Sequence, residues 1–335
     1  MVGNDSEKRL LVTGAHGFLA GAILAQGGDE WQVHAVSRTP PAAAADVSRR
    51  TLPGEESGPT HVGGYRGTGP ENRRPAWHVC DPLAPDQLAR LFEEVRPDAV
   101  IHTAAIADID FCQAHPDLAR AVNVELTRSL AGLCADMGTR LVFCSTDTVF
   151  DGEHAPYRED DPPGPVNLYA EAKVEAEQLV GGLGAQAAIA RLSLVVGLPA
   201  LGAGNSFLVR MLAELKNGRA VRFPAHEIRT PVDVITAGRA LLELAAGDHH
   251  GIFHLAGSSR LTRLDMARQI AARFGFPEHL VEPQAADAAP GRAPRPRDVS
   301  LVNDKACAAL KTPMRTLDEG LSLILAAGQG AAWPS

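Results

Sequence analysis

Short apolar runs, Leu10 to Val12, Val33 to Val36, Ala99 to His102, Leu141 to Cys144 and Ile189 to Val196, alternate with stretches of helical spacing such as Pro85 to Val95, Pro116 to Met137 and Tyr169 to Leu183. A continuous apolar run bounded by turn residues reads as a strand buried on both faces, and strands alternating with helices build a doubly wound parallel sheet. Right-handed crossovers bring every strand's carboxyl end to one edge, where such sheets hold ligands. The expected fold class is α/β, a Rossmann-type doubly wound parallel sheet with a smaller, interleaved C-terminal substrate-binding lobe.

The pattern changes after Gly197. Phe207 to Lys216 is amphipathic, Val221 to Phe223 is strand-like and Leu261 to Phe274 predicts a helix, whereas Val232 to Ala246 and Ile252 to Leu255 read as a helix and strand returning to the main sheet. The expected division is residues 1–197 plus about 232–256 for the dinucleotide-binding domain, and 198–231 with 257–335 for the lobe. Residues 39–75, rich in Pro, Gly, Arg and Ala with little periodicity, read as a flexible surface insertion.

Composition narrows the function classes. A net charge of −8 and an isoelectric point near 5.8 disfavour a nucleic-acid backbone or an anionic membrane as partner. The cysteines, Cys80, Cys112, Cys134, Cys144 and Cys307, form no C-x-x-C pair, which argues against a disulfide framework or zinc knuckle. His249-His250 is an adjacent pair without metal-ligand spacing, so no metal site is expected. No stretch approaches the length of a membrane span, and a cytoplasmic location is expected.

The first strand runs into Thr13-Gly14-Ala15-His16-Gly17-Phe18-Leu19-Ala20, a T-G-x-x-G-x-x-A turn that starts a helix. Glycine at 14 permits the tight turn, Gly17 lets backbone amides approach a pyrophosphate, and Ala20 keeps helix and strand close. The helix amino terminus then faces the phosphates. The second strand ends in Ser37-Arg38 where an NAD site usually places an acid. A hydroxyl and a guanidinium suit a 2′-phosphate, so NADP(H) is preferred, with NAD(H) the second choice. Asp81 is placed to accept from the adenine amino group. The remaining candidate cofactor contacts are His16, Phe18, Leu19, Pro82, Thr103, Ala104, Ala105 and Leu192, with Tyr169 and Lys173.

Tyr169-Ala170-Glu171-Ala172-Lys173 puts a phenol and an ammonium four residues apart, on one face of a helix. A phenol of pKa about 10 is a poor acid–base group near neutrality, and an adjacent cation lowers that value. Tyr169 is then able to give a proton to a carbonyl oxygen as hydride reaches its carbon. The strand Leu141 to Cys144 delivers Ser145 and Thr146 to the same edge, and either hydroxyl is able to position the substrate oxygen.

With these residues in view, the chain resembles the extended short-chain dehydrogenase/reductases and, within them, the dTDP-4-dehydrorhamnose reductase family. The most specific stretch is Ser145-Thr-Asp-Thr-Val-Phe-Asp-Gly152, followed by Pro156-Tyr-Arg-Glu159, Pro165-Val-Asn-Leu-Tyr169 and Lys173. Arg96-Pro-Asp98, His102-Thr-Ala-Ala105, Val122-Asn123, Arg191-Leu-Ser193 and Gly204-Asn-Ser-Phe207 support it. The resemblance implies Thr146, Tyr169 and Lys173 as catalytic trio, with Asp147, Val149, Phe150, Asn205 and Arg229 at the substrate. It also implies NADPH reducing a 4-keto group of a nucleotide-linked deoxysugar, and a homodimer. Thr148 and Leu194 replace the family's usual Tyr and Trp, removing aromatic surface near the expected sugar pocket. A dehydratase or epimerase is the enzymatic alternative, but dehydratases of this kind carry Asp-Glu after the Thr, and here Asp147 is followed by Thr148. A non-catalytic alternative is an NADP-binding regulatory subunit, because the methionine adenosyltransferase β subunit shares the S-T/S-D-x-V-F-D-G and N-L-Y pattern.

Overall fold

The computed structural model describes residues 7–40, 74–200, 206–284 and 292–328, so Asn205 and residues 41–73 of the expected insertion lie outside the described residues. The chain begins with β1 (Arg9–Thr13), α1 (Phe18–Gln26), β2 (Gln32–Ser37), β3 (Ala76–Val79), α2 (Pro85–Val95) and β4 (Ala99–His102). It continues through α3 (Ile109–Ala114), α4 (Pro116–Arg120), α5 (Leu126–Met137), β5 (Arg140–Thr146), α6 (Leu168–Gly181) and β6 (Ala187–Leu192). Then come β7 (Val195–Val196), α7 (Phe207–Lys216), β8 (Val221–Pro224), β9 (Ile228–Arg229), β10 (Val232–Asp233), α8 (Val234–Ala246) and β11 (Gly251–Leu255). The last elements are β12 (Leu261–Thr262), α9 (Arg263–Arg273), β13 (Val281–Gln284), α10 (Asp304–Ala309) and α11 (Leu317–Gly328).

Seven strands form one sheet in the order β11-β6-β5-β4-β1-β2-β3, and every pairing in it is parallel. This is a Rossmann-like α/β architecture. Along β1 the side chains alternate between two cores: Leu10 and Val12 pack with α1 and α8 on one face, and Leu11 with α2, α5 and α6 on the other. β1 lies between β2 and β4, so the strand order reverses there and a crevice opens beyond the carboxyl ends of β1 and β4. A third cluster joins Leu208, Met211, Leu212 and Leu215 of α7 to Ile270 of α9 and Leu321 of α11. Among the described residues no helix is long and apolar enough to cross a membrane.

Local rules account for the elements. α2 opens on Pro85 and buries Leu88, Leu91, Phe92 and Val95 on one stripe. α8 is capped by the Asp233 carboxylate, which accepts from Ile235 N and Thr236 N at 3.1 and 2.8 Å. Two expected elements differ. Ile189 to Val196 is not one strand: β6 stops at Leu192, and β7 pairs instead with β10. Ser193 makes the break, its hydroxyl donating to Asp147 Oδ2 at 3.1 Å. Pro116 to Met137 is helical throughout but passes through a π-turn at Ala121–Glu125.

α6 is fastened to the sheet by a buried ion pair. Glu177 Oε2 accepts from Arg191 Nη2 at 2.8 Å, and Glu177 Oε1 accepts from Arg191 Nε at 3.0 Å and from the Ser145 hydroxyl at 2.5 Å. Ser145 and Arg191 are direct neighbours across β5 and β6. The Arg191 guanidinium also lies 4.9 Å from the Phe150 ring centroid. Removing one partner of such a pair leaves a buried, uncompensated charge. Glu177→Ala is therefore expected to cost about 3–5 kcal/mol, read from the denaturant midpoint. A loss under about 1 kcal/mol, the scale of an exposed pair, would show that the pair does not hold the helix.

Two buried histidines set the response to acid. His102 bridges Thr13 Oγ1 (2.8 Å) and Thr127 Oγ1 (3.1 Å). His254 Nδ1 meets Val302 O at 3.1 Å. Burial, with the nearby Lys173 and Arg191 charges respectively, lowers each from 6.5 to about 3. The folded values lie below the unfolded one, so between pH 6.5 and 3 the unfolded chain takes up protons that the folded chain refuses. Stability falls across that window as pH drops, by roughly 2 kcal/mol per histidine at pH 5. Urea unfolding at pH 7 and pH 5 should show His254→Gln losing about 2 kcal/mol less than wild type between the two; equal losses would clear His254 of the effect.

Candidate active site

The turn after β1 is shaped by backbone contact. Gly14 has φ +71°, and a Cβ there would stand 2.8 Å from Ala104 Cα, so both the dihedral and the neighbour require glycine. Gly17 N donates to Gly14 O at 2.7 Å, and α1 starts at Gly17 with no side-chain cap, leaving its amino end open to an anion. Phe18 and Leu19 turn their side chains inward against Ala22, Val234 and Ile235, so their part in the cradle is backbone.

Beyond the turn lies a cavity of about 1000 Å³. Gly14, His16 and Gly17 line it from the phosphate turn, and Ser37 and Arg38 from the end of β2. Pro82 and Leu83 line a third side, and Thr103, Ala104 and Ala105 form its floor beyond β4. Thr103 is fixed by donating its hydroxyl to Thr13 O at 2.7 Å. Val122 and Leu126, one helical turn apart, give the cavity an apolar wall. Bare backbone, an uncapped helix end, an exposed arginine and an apolar wall together fit a dinucleotide. Asp81 does not reach the cavity: its carboxylate accepts from Leu83 N at 3.1 Å and caps its own turn.

Thr146 and Tyr169 meet at the carboxyl end of β5, with Lys173 one turn further along α6; none of the three is among the residues that line this cavity. Asn167 caps α6 through Ala170 N at 2.9 Å, placing Tyr169 in the first turn, where its hydroxyl hydrogen-bonds Thr146. The Thr146 hydroxyl also meets Thr148 Oγ1 at 3.1 Å and Asp147 Oδ1 at 3.3 Å. Ser145, the other candidate, is committed to Glu177. Lys173 is 2 % exposed; its ammonium donates to Cys144 O at 2.6 Å and stands 3.9 Å from the Phe143 ring centroid. Burial lowers Lys173 to about 8. The Tyr169 phenol is pushed well above its usual value, chiefly by burial, with the Thr146 hydrogen bond pulling it back. Desolvation is the larger of these two effects on the phenol. Leu192 is buried at the end of β6, opposite Thr146 in register.

Several residues expected at the substrate are internal. Val149 and Phe150 have no exposed surface, and Phe150 stacks on Tyr157 at 4.1 Å. Arg229 is buried, its guanidinium donating to Ile228 O, Arg297 O and Pro296 O, with Nε 3.8 Å from Asp147 Oδ2. Asp147, also buried, is raised by desolvation and held by Arg229, Ser193 and Thr146. The side chains of these four are thus spent inside the fold, and none of them is among the residues that line the cavity. Asn123, marked in the sequence as part of a family match with no role attached, sits in the π-turn, accepts from Ile106 N at 2.9 Å and donates to Ile106 O at 3.0 Å. A further set of contacts lies in the strap from 292 to 297. There Arg295 pairs with Asp110 at 2.6 and 2.7 Å, and Pro294 O accepts from Asn167 at 3.0 Å.

Comparison with known proteins identifies the family and the fold. The family model described as the RmlD substrate binding domain matches residues 8–329. Methionine adenosyltransferase 2 subunit beta of Bos taurus is 32% identical over 244 residues, covering 70% of this chain and 72% of that one. The dTDP-4-dehydrorhamnose reductase of Mycobacterium tuberculosis is 31% identical over 257 residues, covering 75% and 82%. Among solved structures, the dTDP-4-dehydrorhamnose reductase of Bacillus anthracis in complex with NADP superposes with a TM-score of 0.78 at 22% identity, covering 96% of this chain and 99% of that one. The chain belongs to the RmlD substrate-binding-domain family, on an extended short-chain dehydrogenase/reductase fold.

Proposed function

We propose that this protein is an NADPH-dependent reductase of a 4-keto group on a nucleotide-linked deoxysugar. The observation that carries the reading is the Thr146–Tyr169 hydrogen bond at the carboxyl end of β5, with Lys173 one turn along α6, in the sheet whose β1 leads into the glycine cradle. NADPH supplies the hydride. Tyr169, kept protonated by burial, gives its proton to the carbonyl oxygen, and Thr146 orients that oxygen. Lys173 holds the nicotinamide ribose and offsets charge on the phenolate left behind. The relatives named as reductases support this reading. The similarity to methionine adenosyltransferase 2 subunit beta favours a second: an NADP-binding regulatory subunit that does not turn over.

Purified protein mixed with NADPH and a panel of nucleotide-linked 4-keto sugars should consume NADPH with at least one of them. Tyr169→Phe should cut that rate by roughly 10²–10⁴-fold, the range of general acid–base catalysis, while leaving NADPH binding intact. NADPH bound but consumed with none of the sugars would overturn the reductase and leave the regulatory subunit.

Lys173 also sets a pH limit. Its ammonium is present below about 8 and lost above it, so kcat/KM should fall as pH rises through about 8. A profile flat to pH 10 would mean that the charge on Lys173 is not used.

A further inference from the structure

The phosphate turn and the end of β2 are joined by a side chain that no strand ladder requires. His16, between Gly14 and Gly17, places Nε2 3.0 Å from Thr39 O and 3.2 Å from Thr39 Oγ1. A carbonyl oxygen only accepts, so Nε2 carries the proton and donates. On its other side the imidazole lies 5.3 Å from the Trp77 ring of β3, tilted by 34°. The same Thr39 carbonyl accepts the Ser37 hydroxyl at 2.5 Å, using its second lone pair. His16, Ser37, Arg38 and Thr39 all line the cavity.

The sheet leaves this segment with little support. β2 ends at Ser37, whose carbonyl accepts from Cys80 N at 2.9 Å as the last ladder-like bond. Arg38 and Thr39 are exposed. Residues 37–39 are thus folded into a turn by two donors converging on one oxygen, one of them from the phosphate turn itself. With the Ser37 proton committed to Thr39 O, the free donors of this turn are the Arg38 guanidinium and the Thr39 hydroxyl, and a ribose phosphate needs them at fixed separation, because charge-assisted hydrogen bonds weaken steeply with misplacement. A ribose hydroxyl makes no such demand.

We propose that His16 is a specificity-determining positioning residue: by donating to Thr39 it holds the Ser37-Arg38-Thr39 turn in the geometry that receives the 2′-phosphate, and so separates NADPH from NADH. This rests on the NADPH reading above. His16 also lines the cavity from the phosphate turn, which both nucleotides share, so the quantity that isolates its contact with Thr39 is the ratio of NADPH to NADH affinity.

The test is a fluorescence titration of wild type, His16→Ala and His16→Gln with NADPH and with NADH. His16→Ala should lower the ratio of NADPH to NADH affinity about tenfold, the loss expected for one hydrogen bond. His16→Gln, whose amide donates to a carbonyl as the imidazole does, should keep most of the preference. Parallel weakening for both nucleotides, or an unchanged ratio in His16→Ala, overturns the proposal while a wild-type preference for NADPH stands. Equal wild-type affinity for the two nucleotides overturns the proposal together with the NADPH preference on which it rests.

Discussion

The Glu177–Arg191 ion pair is the constraint on which the geometry of the candidate centre depends. Tyr169 and Lys173 belong to α6, Thr146 to β5, and a shift of the helix along the sheet by a fraction of a turn would part them. Apolar contacts between Ala176, Val180 and the sheet hold the helix on the sheet, but the hydrophobic effect behind them is non-directional. A carboxylate held by a guanidinium from β6 and a hydroxyl from β5 opposes it, because both oxygens of Glu177 are used. Desolvating the two charges offsets much of their attraction, so the pair contributes more to register than to net stability.

A second set of ties defines the cofactor crevice. Gly14 approaches Ala104 so closely that no side chain fits between them. His102 spans from Thr13 on β1 to Thr127 on α5, and Asn123, displaced by the π-turn, holds both backbone polar groups of Ile106. β1, β4 and α5 are thus joined by polar contacts placed just behind the cavity floor. Nearly all of these donors and acceptors are spent internally, so the floor presents backbone and hydroxyls already fixed in position, which lowers the ordering cost of binding.

The sequence was most legible where burial follows a single period. α2 and α7 occupy the residues that their apolar spacing marks, because 3.6-residue periodicity reports directly which face meets the core. Ile189 to Val196 was misleading for the same reason: apolar character reports burial and is silent on the partner, so the change of sheet at Ser193 left no trace in it. The motif around Ser145 to Gly152 was recognisable, but recognition marks residues without saying which way they point. Thr146 turns to Tyr169, whereas Ser145, Val149 and Phe150 turn into the fold. Arg229 looks like an anion ligand in a linear sequence, yet three carbonyl oxygens and Asp147 surround its guanidinium. Contacts between segments far apart, such as Asp110 with Arg295, follow no local spacing and became visible only in three dimensions.

Proton bookkeeping gives the proposed chemistry a direction. A phenol that must take a proton from an alcohol has to be ionised beforehand, and burial of Tyr169 opposes that form. A phenol that must give a proton only has to hold one, which burial favours. Once the proton has left, the same burial makes the phenolate costly unless a cation stands near, and Lys173, itself lowered to about 8, is still mainly charged at neutral pH. Its present partners, Cys144 O and the Phe143 ring, are uncharged, so the ammonium is not neutralised by a carboxylate in contact with it. In the proposed reduction the acid is loaded by desolvation before the hydride arrives, and the cation is in reserve for the anion that follows.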